Sequence, residues 1–296
     1  MTLTEHFHSK PFFTVICGAI MISFSAVFVE VADVSPNSSA FYRVLLGSGF
    51  LLLICVYKRC AVRPFSRILP MACLCGFLFA LDLLFWHISI RSIGPGLATI
   101  ISNFQVFILA AFGAVFLKER LSPAYLYAVP LAILGLVLIV GLKQEGLDLQ
   151  YRQGILFGIL TAICYAGFLL CFRRTQSSSH QSELFILLTV SIFASVFLGL
   201  KMIYSQDSFL IPNLQSGFAL LGLGLLCQTV GWLFITHGLP KIRTSLVGLI
   251  LLIQPTLSFI WDVLLFQRPT EIVNWAGVII TLTAIYLGLR GREQSS

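Results

Sequence analysis

Almost the whole chain between Phe12 and Arg290 is taken up by about ten separate apolar stretches, each roughly 18 to 24 residues long. A hydrocarbon layer about 30 Å thick is crossed by about 20 helical residues, at a rise of about 1.5 Å each. No water is available there to hydrogen-bond an open backbone, so only helices or closed barrels span it. Barrel strands alternate apolar and polar residues over about ten positions, a pattern these continuous runs lack. The expected fold is an all-α membrane protein of ten transmembrane helices, near 12–30, 40–57, 69–90, 95–117, 124–142, 153–172, 184–203, 214–237, 243–266 and 272–290.

Only 10% of the 296 residues are charged and 58% are hydrophobic, far from the composition of a soluble domain. No stretch between the spans is long enough for a soluble domain of about 50 residues, so function is expected inside the bundle. Connections such as Lys118–Pro123 are short, which makes sequential helices antiparallel neighbours. The first span is expected to stay in the mature protein. It ends in Val29-Glu30-Val31-Ala32-Asp33 and carries no small-residue cleavage site.

Lysine and arginine set the expected orientation. With the N-terminus inside, thirteen basic residues fall on the cytoplasmic side, among them Lys10, Lys58, Arg59, Arg63, Arg67, Lys118, Arg120 and Arg292. Five fall outside: Arg91, Lys143, Arg152, Lys201 and Arg268. Both termini are then cytoplasmic, and the cell (inner) membrane is the expected location. The net charge of +7 is accounted for by anionic inner-leaflet lipid. No interleaved basic and aromatic surface for a nucleic acid is present.

Seven of the eight cysteines lie in spans and Cys60 lies in a loop, without the paired spacing of a zinc site. No metal, cofactor or disulfide framework is expected. The phosphate-binding G-x-x-x-x-G-K-[ST], the H-E-x-x-H and the G-x-S-x-G patterns are all missing. Direct ATP use and hydrolytic catalysis are therefore not expected, and no catalytic residue is assigned.

The chain resembles itself. Trp86–Glu119 lies over Phe234–Gln267 at a constant shift of 148 residues. Two repeats are expected, 1–148 and 149–296, each of five helices. Because five is odd, the second enters the membrane inverted relative to the first, a geometry that suits alternating access to one central cavity.

Three further patterns point to a known group. Ser35-Pro36 with Phe41-Tyr42-Arg43 opens the second span. Ala80-Leu81-Asp82 is followed by Phe85-Trp86-His87-Ile88-Ser89-Ile90 in the third. Leu117-Lys118-Glu119-Arg120-Leu121 follows the fourth. In these the chain resembles the EamA-type, ten-helix branch of the drug/metabolite transporter superfamily, from about residue 12 to 290. The resemblance implies a cavity enclosed by the first, third, fourth, sixth, eighth and ninth helices. Two positions depart from the pattern. The second Glu-Arg is Gln267-Arg268, and the proline usual in the fourth helix is Phe107, whereas its repeat mate Pro255 is present. Without that proline the fourth helix is expected to run straighter than the ninth.

Polar groups in a span are costly and usually face the interior or a cavity. Asp82 lies near mid-bilayer, with Trp86 and Ser89 following on the same face. No lysine or arginine of the spans is expected at its depth, since Arg43 sits about two helical turns nearer the outer rim. Thr99 and Asn103 stripe the fourth span, Tyr165 the sixth, Gln228 and Trp232 the eighth, and Gln254 and Trp261 the ninth. These residues are the expected substrate contacts, although each stripe alone also reads as helix–helix glue. Glu30, Arg43, Tyr42 and Asp262 are expected to act as gating or ion-pair groups. Glu119 is expected to bond the exposed amides that begin the fifth helix after Ser122-Pro123. His87 lies off the face of Asp82 and is expected to pack.

The expected function is secondary transport of small polar or amphipathic metabolites, amino acids or related compounds, with export favoured and proton coupling possible. Nucleosides, S-adenosylmethionine-like compounds and organic cations remain open as substrates. A membrane assembly or sensor protein without transport is the second class. The expected partners are the lipid bilayer and a small-molecule substrate, with the chain a monomer or weak homodimer.

Overall fold

Ten helices among the described residues are long and apolar enough to cross a membrane: α1 Pro11–Val31, α2 Pro36–Tyr57, α3 Leu69–Ile93, α4 Ala98–Phe116, α5 Pro123–Val140, α6 Leu149–Ser177, α7 Glu183–Ser205, α8 Leu214–Lys241, α9 Thr244–Phe266 and α10 Ile272–Leu289. The structure is a computed structural model and describes residues 11–60, 68–140, 149–179 and 181–290. Lys10, Arg63, Arg67, Lys143 and Arg292, which contribute to the charge bias, lie outside the described residues. Among those described there is no strand. The protein is a multi-pass membrane protein. All ten expected spans are present, but α6 extends further at both ends than the apolar run suggests. Helical hydrogen bonding also continues from Leu69 to Ser102, where two separate helices were expected.

The chain groups into two compact units that interleave in sequence. The first joins α1, α2, α3 as far as Leu83, α6 from Gly167, α7 and α8. The second joins α3 from Leu84, α4, α5, α6 as far as Ala166, α9 and α10. The division falls inside α3 and α6, so the spatial units cut across the halves 1–148 and 149–296.

Within the first unit α1 packs on α8, and α2 packs on both α7 and α8. Within the second, α4 packs on α9 and α5 on α10. The α5–α10 pair shows what drives association where lipid is as apolar as leucine: close backbone approach and carbonyls taken by side chains. A Cβ on Gly277 would lie 2.6 Å from Gly135 O, and one on Gly135 would lie 2.8 Å from Gly277 O. Only glycine fits either side of that crossing. Asn274 Nδ2 then donates to Leu138 O at 3.1 Å and Ile139 O at 3.0 Å. These carbonyls are in the last turn of α5, where the helix supplies no donor of its own.

Three spans are interrupted, each for a local reason. In α1, Ser23 Oγ and Ser25 Oγ each donate at 2.6 Å to the carbonyl three residues back, on either side of the break at Phe24. In α4, Thr99 O accepts from both Ser102 Oγ at 2.9 Å and Asn103 Nδ2 at 2.8 Å. Phe104 N meanwhile tightens onto Ile101 O at 3.0 Å, and the α-helix restarts at Gln105. Side chains that compete for backbone carbonyls bend helices in this way. In α9 the restart follows Leu252, and Pro255 has no N–H to give to the preceding turn. Phe104 and Leu252 are 148 residues apart, the same as the sequence shift. The missing proline does not keep α4 continuous: Ser102 and Asn103 take up a backbone carbonyl where it is interrupted, as α9 is at Leu252. The middle of α8, Leu223–Gly231, is wound in wide π turns, a device often found at functional positions.

Candidate functional site

The first unit holds a polar line that is buried at Gln228 and Ser191 and half-buried at Arg43. Arg43 Nε of α2 donates to Gln228 Oε1 of α8 at 3.2 Å, and Gln228 Nε2 donates onward to Ser191 Oγ of α7 at 3.2 Å. Both ends of the Gln228 carboxamide are therefore engaged, which fixes its orientation. Gln228 sits in the π-wound stretch, where Thr229 Oγ1 takes up Gly224 O at 2.9 Å. Three helices thus meet on side-chain hydrogen bonds, and low local polarity strengthens such bonds. Ser191 is a member that sequence reasoning missed. Its only signal is a hydroxyl in the middle of an apolar span.

Asp82 of α3 is buried in the same unit. Arg43 of α2 acts on it electrostatically. Rise along the helix axis predicted two turns of separation.

One turn before Asp82, Phe79 stacks on Phe168 of α6 with ring centres 4.7 Å apart and planes at 23°. Trp232 of α8 stands edge-on to both, at 5.6 Å from Phe79 and 5.0 Å from Phe168. These distances fall in the favourable range for stacked and edge-to-face aromatics. Trp232 is buried and belongs to this aromatic cluster. The first unit therefore combines a carboxylate, a guanidinium, an amide and a wall of aromatic rings.

The other members expected in this unit are peripheral. Tyr42 Oη donates to Phe209 O at 2.6 Å, tying α2 to the α7–α8 connection. Asn37 Nδ2 reinforces that tie with a 2.8 Å bond to Asp207 Oδ2. Glu30 is exposed at the end of α1, and Arg43 Nε is directed at Gln228 rather than at it.

The second unit contains Trp86, Ser89, Thr99, Asn103, Tyr165, Gln254, Trp261, Asp262 and Glu119. Ser89 is fully buried and donates to Gly154 O of α6 at 2.8 Å, a bond that links α3 to α6. Ser89→Ala should lower the melting temperature by about 2–4 °C, the equivalent of about 1 kcal/mol, and leave transport at the parental rate. A flux loss larger than the stability loss would return Ser89 to the substrate contacts. Asn103 turns back onto Thr99 O within its own helix. Trp86 is half-buried and edge-on to buried His87, ring centres 5.2 Å apart. Tyr165, Gln254 and Trp261 are half-buried. Asp262 pairs with Arg268 at 3.0 Å, and Arg268 also lies over the Phe259 ring at 5.3 Å.

Glu119 caps a helix, but not the one expected. Its carboxylate accepts from Thr244 N at 2.7 Å, Ser245 N at 3.2 Å and Ser245 Oγ at 2.7 Å, at the start of α9. The start of α5 is served by Ser122 Oγ, which accepts from Tyr125 N at 3.2 Å. The reason lies in the backbone after α4: Lys118 adopts φ 53°, and Glu119 N returns to Gly113 O at 2.9 Å. Gly113 leaves room for the carboxylate, since a Cβ there would lie 2.5 Å from Glu119 Oε2. Neither the turn nor its reach across 125 residues is visible in a local sequence window.

The EamA-like transporter family matches the chain twice, over residues 9–141 and 152–290. The pseudopaline exporter CntI of Pseudomonas aeruginosa is 23% identical over 274 residues, covering 90% of this chain and 92% of that protein. An uncharacterized transporter of Archaeoglobus fulgidus is 25% identical over 282 residues, covering 92% and 94%. A crystal structure of a protein at 15% identity has a TM-score of 0.80, covering 95% of this chain and 99% of that one. At that identity the likeness concerns the fold alone.

Proposed function

We propose, from the premise that the chain belongs to the EamA-like transporter family, that it carries a small polar or amphipathic metabolite, an amino acid or related compound, by alternating access. Asp82 carries this reading: a buried carboxylate in a span, beside an aromatic wall and within the field of Arg43. An acid and a base in one unit suit a solute with both an amino and a carboxyl group, and the rings suit its apolar part. Export is the favoured direction, in keeping with the exporter name of the P. aeruginosa relative. The two matched segments act as inverted repeats around the substrate path, and proton coupling runs through Asp82. Catalysis has no part in the reading. An assembly or sensor role would need extramembrane surface for a partner, and the short connections offer little.

Purified protein in liposomes should move radiolabelled L-amino acids faster than empty liposomes do. Flux no greater than the empty control across amino acids, nucleosides and organic cations would favour the non-transporting role. Both termini are cytoplasmic in this reading. A cysteine at Asp148 should then label from outside and one at Arg63 should not; both positions lie outside the described residues. The opposite labelling would invert the orientation.

A further inference from the structure

The break in α4 places one residue in an unusual position. Gln105 is the first residue of the restarted helix, Gln105–Phe116, in the middle of the span. It is fully buried, and neither Nε2 nor Oε1 has a hydrogen-bond partner among the described residues. A carboxamide has two donor hydrogens and an oxygen that accepts twice. Buried groups of this kind are nearly always satisfied, and one that is not calls for an explanation. Packing alone would be better served by leucine, whose volume is similar and which carries no polar atoms. Its α4 neighbours Val106 and Leu109 are apolar, fully buried and packed against Gly248 of α9.

The second interrupted helix of the same unit repeats the arrangement. The restarted segment of α9, Ile253–Phe266, carries Gln254 at its second position, so each broken helix resumes with a glutamine beside its break. The repeat mates at the sequence shift are Ile253 for Gln105 and Val106 for Gln254. The glutamines are therefore not one inherited position seen twice; each repeat places its own at the break. Irregular backbone at membrane depth is tolerated where it is buried in protein or lines a water-filled cavity, and the unmatched carboxamide favours the second.

We propose that Gln105 is a specificity-determining residue of the transport path, whose carboxamide gives one hydrogen bond to the solute and accepts another when the α4 break is open to water. The solute group it fits has an acceptor and a donor side by side, as the carboxyl and amino groups of an α-amino acid do. This inference rests on the transport reading above for its solute but not for its accessibility, and the two are tested separately.

Gln105→Leu should raise the melting temperature by about 2–4 °C, because an unsatisfied polar group leaves a dry site. The same variant should lower the liposome flux of a radiolabelled L-amino-acid mixture by about tenfold, with Gln105→Asn recovering part of it. Gln105→Cys, with the eight native cysteines replaced by alanine or serine, should react with 2-aminoethyl methanethiosulfonate. Leu210→Cys, in the exposed α7–α8 connection, serves as the accessible control. Parental flux in Gln105→Leu overturns the proposal, and so does an unreactive Cys at 105 beside a reactive control. If the parental protein moves none of the labelled amino acids, the substrate reading fails instead, and the reactivity at 105 alone decides whether the residue lines the path.

Discussion

Asp82→Asn is expected to cut liposome flux by about thirtyfold at subsaturating solute, with the folded protein retained. The substitution keeps shape and hydrogen-bonding capacity and removes only the charge. Hydrogen bonds to a charged group contribute about 1.5–3 kcal/mol, and about 2 kcal/mol corresponds to about thirtyfold. The effect should be larger for solutes with a free amino group than for their N-acetylated forms, which separates contact with the solute from a general loss of structure. Proton coupling through the same carboxylate predicts that the variant's residual flux no longer responds to a pH gradient. The neighbouring groups sharpen the comparison. The bond from Arg43 to Gln228 does not involve Asp82, so the polar line itself should survive the substitution and the melting temperature should change little. Flux at the parental rate, with parental pH dependence, would leave Asp82 as interhelical packing and remove the centre of the proposed site.

The second large effect falls on stability. Glu119→Ala should lower the melting temperature by about 5–10 °C. The carboxylate is the acceptor for two backbone N–H groups and one hydroxyl at the start of α9, and Thr244 and Ser245 are almost fully buried. Removing an acceptor from buried donors costs about 1–3 kcal/mol for each group left unsatisfied. Anionic groups also favour a helix N-terminus through its dipole, which adds to the loss. Glu119→Gln keeps one acceptor oxygen and replaces the other with a donor, so it should fall between the parent and the alanine variant. In both variants the affinity for the solute should change less than the melting temperature. A stable Glu119→Ala protein that no longer binds solute would move this residue from the scaffold to the site.

The sequence by itself determined the parts of this protein that follow from the solvent. Ten apolar runs of membrane-crossing length can only be helices in lipid, and every one of them is a helix in the structure. The family was legible for the same reason, because Asp82, the Phe41-Tyr42-Arg43 entry and the Glu119 loop stand out against an apolar background. Individual polar residues were legible as well: Gln228 and Asp82 were picked out simply because a bilayer makes such groups costly.

Tertiary structure alone decided what each polar residue does. Ser89 and Asp82 share a helix and a face, yet Ser89 is used up by the carbonyl of Gly154, while Asp82 lies in the field of Arg43. Glu119 caps α9 instead of α5 because a left-handed residue turns the chain, and a partner 125 residues away completes the bond. The helix breaks were half legible. Pro255 announced one, but the α4 break depends on two side chains competing for a single carbonyl, a geometric contest that composition does not resolve. Gln105 passed unnoticed because a lone glutamine next to a predicted polar stripe looks unremarkable. Its significance is that the fold buries it completely and leaves its carboxamide unmatched among the described residues. Hydropathy is a property of each residue, whereas hydrogen-bond satisfaction is a property of pairs brought together by folding.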